Sequence, residues 1–191
     1  MRKLVGLLAL FVSFTLPAIA QNTPKLEVFG GYQYLHFDLS GSALKMNGFD
    51  ASATYNFNRW LGMTADISGA YNGNTPNPGG PAGTTHIYNY MFGPTIYPFG
   101  HRRITMFVHG LAGDGHIHIY LPPAGGNPSL TLTDTSFTYA AGGGFDLRIT
   151  RHIAVRLFQG DYEQTHFLQD FGFPAQKNIR IAAGIVFRLG S

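Results

Sequence analysis

His116 and His118 stand two residues apart in His116-Ile117-His118. On an extended strand that spacing puts both imidazoles on one face, as a metal pair requires. No third ligand has a fixed place beside them, so a solvated rim at a strand end is the simpler reading. Asp161 and Glu163 repeat the spacing with carboxylates, the residue types of a glycosidase pair, but nothing else in the chain builds a sugar site. His86, His116 and His166 fall near loop ends, where a lipid-modifying site could sit. No G-x-S-x-G elbow and no compact Ser–His–acid set accompanies them. The remaining candidates are charges embedded in alternating segments: Asp50, Asp66, His109, Asp146, Arg148, Arg156, Arg180 and Arg188.

Those charges need strands to position them, and the clearest strand is the last, Lys177 to Ser191. Ile179, Ile181, Ala183, Ile185, Phe187 and Leu189 share one parity; Asn178, Arg180 and Arg188 share the other with Ala182, Gly184 and Val186. A period of two with an unbroken apolar face is the pattern of a strand between lipid and a narrow polar lumen. Eight such segments are expected: Lys25–Phe37, Asn47–Phe57, Trp60–Tyr71, Thr85–Tyr97, Arg103–His118, Thr135–Arg148, Ile153–His166 and the terminal one. Short connections are expected after the second, fourth and sixth, with long ones after the first, third, fifth and seventh. The long ones include the Gly/Pro-rich Asn72–Gly83 and the stretch Ile119–Asp134. Pro94, inside the fourth segment, predicts a local bulge or irregularity. Phe57, Trp60, Tyr97 and Phe99 are expected at the interface near the turns, with Tyr71 and Tyr88 near the loops.

The chain has 191 residues, enough for one domain. Met1 to Ala20 reads as a secretory signal: basic Arg2-Lys3, an apolar Leu4–Leu16 core and the small-x-small site Ala18-Ile19-Ala20. The barrel domain is then 21–191. Without the leader, 11 bases face 10 acids, which does not support a nucleic-acid surface. Charged residues make up 12%, about half the usual share, while aromatics reach 14% and glycines number 25. Cysteine is absent, so thiol chemistry and disulfides are excluded. No long apolar stretch follows the leader, so a membrane form has to be a closed barrel. The fold expected is all-β: an eight-stranded, antiparallel, up-and-down transmembrane β-barrel with short periplasmic turns and long external loops.

Leader, eight segments and terminal strand together resemble the OmpA-like outer-membrane β-barrel family across essentially the whole mature chain. The most specific element is Gly184-Ile185-Val186-Phe187-Arg188-Leu189, similar to the family's terminal sorting pattern through Gly184, Phe187 and Leu189. Ala182 replaces the family's polar residue two before the glycine, and Gly190-Ser191 follows Leu189. The resemblance implies location in a Gram-negative outer membrane and recognition by the barrel-assembly machinery. It implies no catalytic or cofactor-binding residue. The chain ends at the barrel, with no room for the periplasmic peptidoglycan-binding domain of some relatives.

Within a lumen of eight strands, side chains just fill the interior. Asp50, Asp66, His109, Asp146, Arg148, Arg156, Arg180 and Arg188 are expected to pair there as a plug that fixes register, with a proton or ion path as the alternative use. Bases are in slight excess in that set. Strict alternation from Ile153, Val155 and Leu157 would send Gln159 and Asp161 into lipid. One extra residue near Phe158 to Gly160 would turn both inward, adding Asp161 to the network. The alternative is that both are simply wet at the external rim. The function expected is structural and non-enzymatic, with a closed polar lumen. The chain is a monomer in outer-membrane lipid, with no metal or cofactor, and its external loops bind a ligand the sequence does not name. The alternatives are a soluble lipocalin-like barrel for a small apolar ligand, with the opposite facing, and a lipid-modifying enzyme.

Overall fold

The structure is a computed structural model that describes residues 23–39, 42–168 and 175–190. The leader expected at Met1–Ala20 and the final residue of the terminal segment lie outside the described residues. Eight strands follow in order: β1 Leu26–Leu39, β2 Ser42–Asn56, β3 Leu61–Thr75, β4 Gly83–Ile96, β5 Ile104–Leu121, β6 Leu130–Arg148, β7 Ile153–Thr165 and β8 Gln176–Leu189. Each pairs antiparallel with its neighbour in sequence, and β1 pairs with β8 to close the barrel. Closure leaves no open sheet edge around the membrane-spanning part of the barrel, so its backbone polar groups pair between strands, as a bilayer demands.

The strands are longer than the sequence suggests. β5 and β6 stay paired from Ile104↔Leu147 to Leu121↔Leu130, so the Ile119–Asp134 connection shrinks to residues 122–129. The first connection is not long at all: β1 and β2 pair up to Leu39↔Ser42, with residues 40–41 between them. Thr131, Thr133 and Thr135 continue the β6 alternation above the apolar band, and β-branched residues favour extended backbone there. A spanning strand needs ~9–11 residues; β5 and β6 have 18 and 19, so their upper parts stand clear of the bilayer.

The opposite turns are tight and side-chain capped. Asn58 Oδ1 accepts the Trp60 and Leu61 amides (2.8 and 2.9 Å), and Thr150 Oγ1 accepts those of His152 and Ile153 (3.2 and 3.0 Å). Pro94 brings no bulge. Its position drops out of the β4–β5 ladder, but the ladder resumes in the same register, Phe92↔Ala112 then Thr95↔His109. Proline lacks a donor yet fits extended φ, so it interrupts one ladder without adding a residue.

The outer surface carries Val28, Phe49, Ile67, Phe92, Val108, Phe145, Leu157, Phe158, Ile181, Ile185 and Phe187, all exposed. Phe57, Trp60 and Phe99 flank that band at the turns, and Tyr71 and Tyr90 at the loop side. Tyr97 departs from this girdle: it is buried and points inward. The facing is that of a lipid-embedded barrel, opposite to a lipocalin.

Candidate functional site

The lumen is filled in three levels. At the periplasmic end Glu27 and Arg188 are cross-strand partners, and Arg188 Nε donates to Glu27 Oε1 at 2.7 Å. Glu27 Oε2 accepts from the Tyr97 hydroxyl at 2.7 Å and lies 3.3 Å from His101 Nε2. The Tyr97 and His101 rings pack against each other tilted by 40°, with centroids 4.1 Å apart. This level was half visible in sequence. Glu27 has inward parity, but Tyr97 looks like a girdle aromatic and His101 like a turn residue.

The middle level depends on a bulge in β7. The β6–β7 register moves from Asp146↔Arg156 to Phe145↔Phe158, and β7–β8 shifts between Arg156 and Gln159. Leu157 and Phe158 both stay exposed, after which Gln159 and Asp161 turn inward. The extra residue was expected near Phe158 to Gly160, and it falls at Leu157–Phe158. Unbroken alternation, and with it the wet-rim account, is thereby replaced.

Arg156 grips Asp146 through Nε–Oδ1 at 2.9 Å and Nη2–Oδ2 at 3.3 Å, and its Nη1 donates to Gln159 Oε1 at 2.7 Å. Its guanidinium lies 4.2 Å from the centroids of both Phe29 and Phe107, so a planar cation sits between two rings. Gln159 passes the contact on, its Nε2 donating to Asp161 Oδ2 (2.8 Å) and Asp50 Oδ2 (3.3 Å). Arg180 donates from Nε to Asp161 Oδ2 and from Nη1 to Asp66 Oδ1, both at 2.9 Å, and reaches Ser68 Oγ at 3.2 Å. His109 Nε2 lies 2.8 Å from Asp161 Oδ1. A Cβ at Gly142 would collide with the Asp161 carboxylate, so glycine there makes room for the charge.

Arg148 stands apart from this network. It is half-buried at the turn end of β6, beside Arg103, Leu147 and Ile149, and has no ion pair among the described residues. Inward parity is not enough, because the strand leaves the lumen at that height. Without Arg148, and with Glu27 and Glu163 added, six buried carboxylates (Glu27, Asp50, Asp66, Asp146, Asp161, Glu163) face three buried arginines (Arg156, Arg180, Arg188). The expected excess of bases is therefore reversed.

The third level corrects the expectation of a wholly polar lumen. In the outer half Leu35, Phe37, Leu44, Met46, Ile87, Ile117 and Ile119 point inward and form an apolar core. Phe167 and Leu168, which follow β7, fold into its top and are buried. Gln176 clamps Phe167, taking its amide on Oε1 and donating Nε2 to its carbonyl, both at 3.0 Å. Leu168 holds φ of 58°, a left-handed conformation that costs a non-glycine residue about 1 kcal/mol, and its amide donates to Asp134 Oδ2. The inward parity of Phe29, Leu35 and Phe37 was the available sequence signal for this core.

His116 and His118 take the outer face of β5 above the apolar band, where each Nδ1 meets a β6 hydroxyl, Thr135 at 2.7 Å and Thr133 at 3.1 Å. His86 pairs across from His118, and no group of three metal-ligating side chains occurs among the described residues. Asp161 and Glu163 do share a face, but Asp161 is taken up by Arg180, His109 and Gln159. In the terminal pattern Phe187 and Leu189 face outward, and Gly184 lies where a Cβ would collide with the β1 backbone at Gly30 and Gly31.

A closed antiparallel barrel with an apolar outer band and a filled lumen defines a transmembrane β-barrel of the outer-membrane class. The chain belongs to the outer membrane protein beta-barrel domain family, which matches residues 6–187. Its location is accordingly the outer membrane. Among solved structures it is similar to Ail, the attachment invasion locus protein of Yersinia pestis, at 20% identity over 87% of this chain and 99% of that one, TM-score 0.66. Neisserial surface protein A is similar at 13% identity over 86% and 97%, TM-score 0.68. OprG of Pseudomonas aeruginosa is similar at 12% over 92% and 100%, TM-score 0.55. At these identities the likeness shows a shared fold. No curated protein sequence matches the chain.

Proposed function

We propose that this protein is a non-enzymatic outer-membrane barrel with a closed lumen that acts through its external surface. The observation that carries this reading is the β5–β6 hairpin, which continues its pairing well above the apolar band. Its tip is a two-residue turn at Gly125-Gly126 with φ of 58° and 85°, bridged by Ala124↔Asn127. Asn77, from the connection between β3 and β4, donates to the Pro122 carbonyl at 3.0 Å and ties the two connections together. A preorganised external platform loses less entropy on binding than a floppy loop does. The name of the similar Yersinia protein refers to attachment, which accords with a surface-binding role here.

The lumen supports the same reading. Arg156, Arg180 and Arg188 are ion-paired to Asp146, Asp66, Asp161 and Glu27, and an apolar core lies above them. Export through the Met1–Ala20 leader, reading of Gly184, Phe187 and Leu189 by the assembly machinery, and a monomer in outer-membrane lipid complete the proposal.

The test is adhesion of cells displaying the protein to an epithelial layer and to heparin-coated plates. Replacing residues 122–129 by Asn-Gly should abolish adhesion while the barrel still folds. Adhesion unchanged by that replacement, or no adhesion by the wild type on either surface, would contradict it.

A further inference from the structure

The short-turn end of the barrel carries a charge pattern that the lumen does not use. Lys25, Arg59, Arg102, Arg103 and Arg151 are exposed there, and Arg148 is half-buried. The carboxylates nearest this end, Glu27 and Asp146, are buried and held by Arg188 and Arg156. Among the described residues, the acidic side chains that are not buried are Asp38, Asp114 and Asp134, in the loop-side halves of β1, β5 and β6. The turn rim is therefore cationic, with no exposed acidic side chain among the described residues. Arg102 and Arg103, like Arg148, have no ion pair among those residues.

Two neighbouring turns bring part of this charge together. The Tyr97 amide donates to the Trp60 carbonyl at 2.8 Å, which joins the β2–β3 turn to the segment between β4 and β5. That segment folds back at once: the Gly100 amide donates to the Tyr97 carbonyl at 3.0 Å, with φ of 63° at Gly100. A shallow, open cleft of about 350 Å³ lies there, lined by Arg59, Trp60, Pro98, Phe99, His101 and Arg102. The Arg59 guanidinium lies 4.7 Å from the centre of the Trp60 ring. A guanidinium stacked by its face still donates N–H bonds in its own plane. The Arg102 backbone is tied down by Thr105, whose Oγ1 donates to the Arg102 carbonyl at 3.1 Å. Arg103 lines a second cleft of about 310 Å³ with Leu147, Arg148 and Ile149.

The first cleft opens at the lipid boundary. Trp60 and Phe99 are 53% and 63% exposed at the edge of the apolar band. Leu61 and Ile96, opposed across β3 and β4 and both exposed, continue the outward face towards the membrane centre. An occupant meets positive charge at the rim and apolar surface immediately beside it. A peptidoglycan strand is polar throughout, and a soluble anion has no apolar part. A phospholipid has both.

We propose that the cleft between these two turns binds the headgroup of an anionic phospholipid. Arg59 and Arg102 take its phosphate, and Trp60, Leu61 and Ile96 lie along its acyl chains. Arginine matches phosphate oxygens two at a time, and an indole settles at headgroup depth. The lipid is one whose phosphate is not balanced by an ammonium, as in phosphatidylglycerol, because the cationic rim repels a choline or ethanolamine group. With the short turns on the periplasmic side, the lipid belongs to the inner leaflet. The site then anchors the end of the barrel opposite to the external platform.

Trp60 is the single tryptophan of the chain, so its fluorescence reports on this cleft. The experiment places the full protein in dioleoylphosphatidylcholine vesicles that contain a low, fixed fraction of brominated phosphatidylglycerol or of brominated phosphatidylcholine, with bromine at the same acyl positions. Brominated phosphatidylglycerol should quench Trp60 more strongly. Arg102→Gln should reduce that excess more than Arg151→Gln, which removes the same charge from a turn on the opposite side of the closed barrel. Equal quenching of the wild type by the two lipids would overturn the proposal. So would equal reductions in the two variants, the mark of a diffuse field that acts without a site. Inorganic phosphate that cancels the excess, at an ionic strength where sodium chloride leaves it, would assign the cleft to a soluble anion and overturn the lipid as its occupant.

Discussion

Asp161 and Arg180 face each other directly across β7 and β8, with Arg180 Nη2 2.8 Å from Asp161 Oδ2, and both are buried. The pairing exists because β7 carries one extra residue at Leu157–Phe158. Without it the carboxylate would project into lipid and Arg180 would remain in the lumen with Asp66 alone. A backbone irregularity thus sets an electrostatic network, and the network in turn holds the irregularity in place.

Removing Phe158 is expected to turn Gln159, Asp161 and Glu163 outward and prevent folding. Refolding into vesicles, followed by the difference in gel migration between boiled and unboiled samples, checks it. A folded, correctly migrating deletion variant would show that the bulge does not control the facing.

Asp161→Asn should destabilise the barrel by about 3–5 kcal/mol, because it leaves Arg180 buried with half its countercharge. Arg180→Met combined with Asp161→Asn should recover part of that loss. Urea unfolding of the single and double variants measures both, and an exposed-site cost below about 1 kcal/mol would contradict the burial of this pair.

Asp146 and Arg156 offer the cleaner cycle, since the bidentate contact involves two residues opposed across one ladder. A coupling energy of about 0.5–3 kcal/mol is expected between Asp146→Asn and Arg156→Gln, measured by unfolding in a double-mutant cycle. Strict additivity would remove Asp146 as the partner that fixes Arg156 between its two rings.

Much of this was legible in the chain. Period-two alternation located all eight strands, and the inward parity of Asp50, Asp66, His109, Asp146, Arg156, Arg180 and Arg188 located most of the charge network. The misfit of Gln159 and Asp161 with strict alternation even pointed to the bulge. What alternation does not carry is height along the barrel axis. Arg148 has the right parity but sits where β6 leaves the lumen, and Tyr97 beside the turn reaches in to Glu27. Height also separates the charged level from the apolar one. Leu35, Phe37, Ile117 and Ile119 occupy inward positions of the strands that carry Glu27, Thr105 and His109 inward lower down, so a wholly polar lumen was the wrong extrapolation. Phe167 and Leu168 belong to no strand, and their insertion depends on Gln176 and Asp134, which are distant or unremarkable in sequence.

The outward band makes a depth-dependent prediction. Phe92→Arg near the middle of the lipid-facing surface should cost about 2–4 kcal/mol, while Gln164→Arg near the outer edge should cost about 0–1 kcal/mol. Equal costs at the two positions, in the same vesicle unfolding assay, would mean that the lipid boundary is misplaced.

The central claim is that the lumen is shut, by paired charges below and by Phe167, Leu168 and their apolar neighbours above. Single-channel recording of the purified protein in a planar bilayer tests it most directly. A quiet baseline, without stable conductance steps over a wide voltage range, is the predicted result. A long-lived, reproducible open level from the wild-type protein would contradict it.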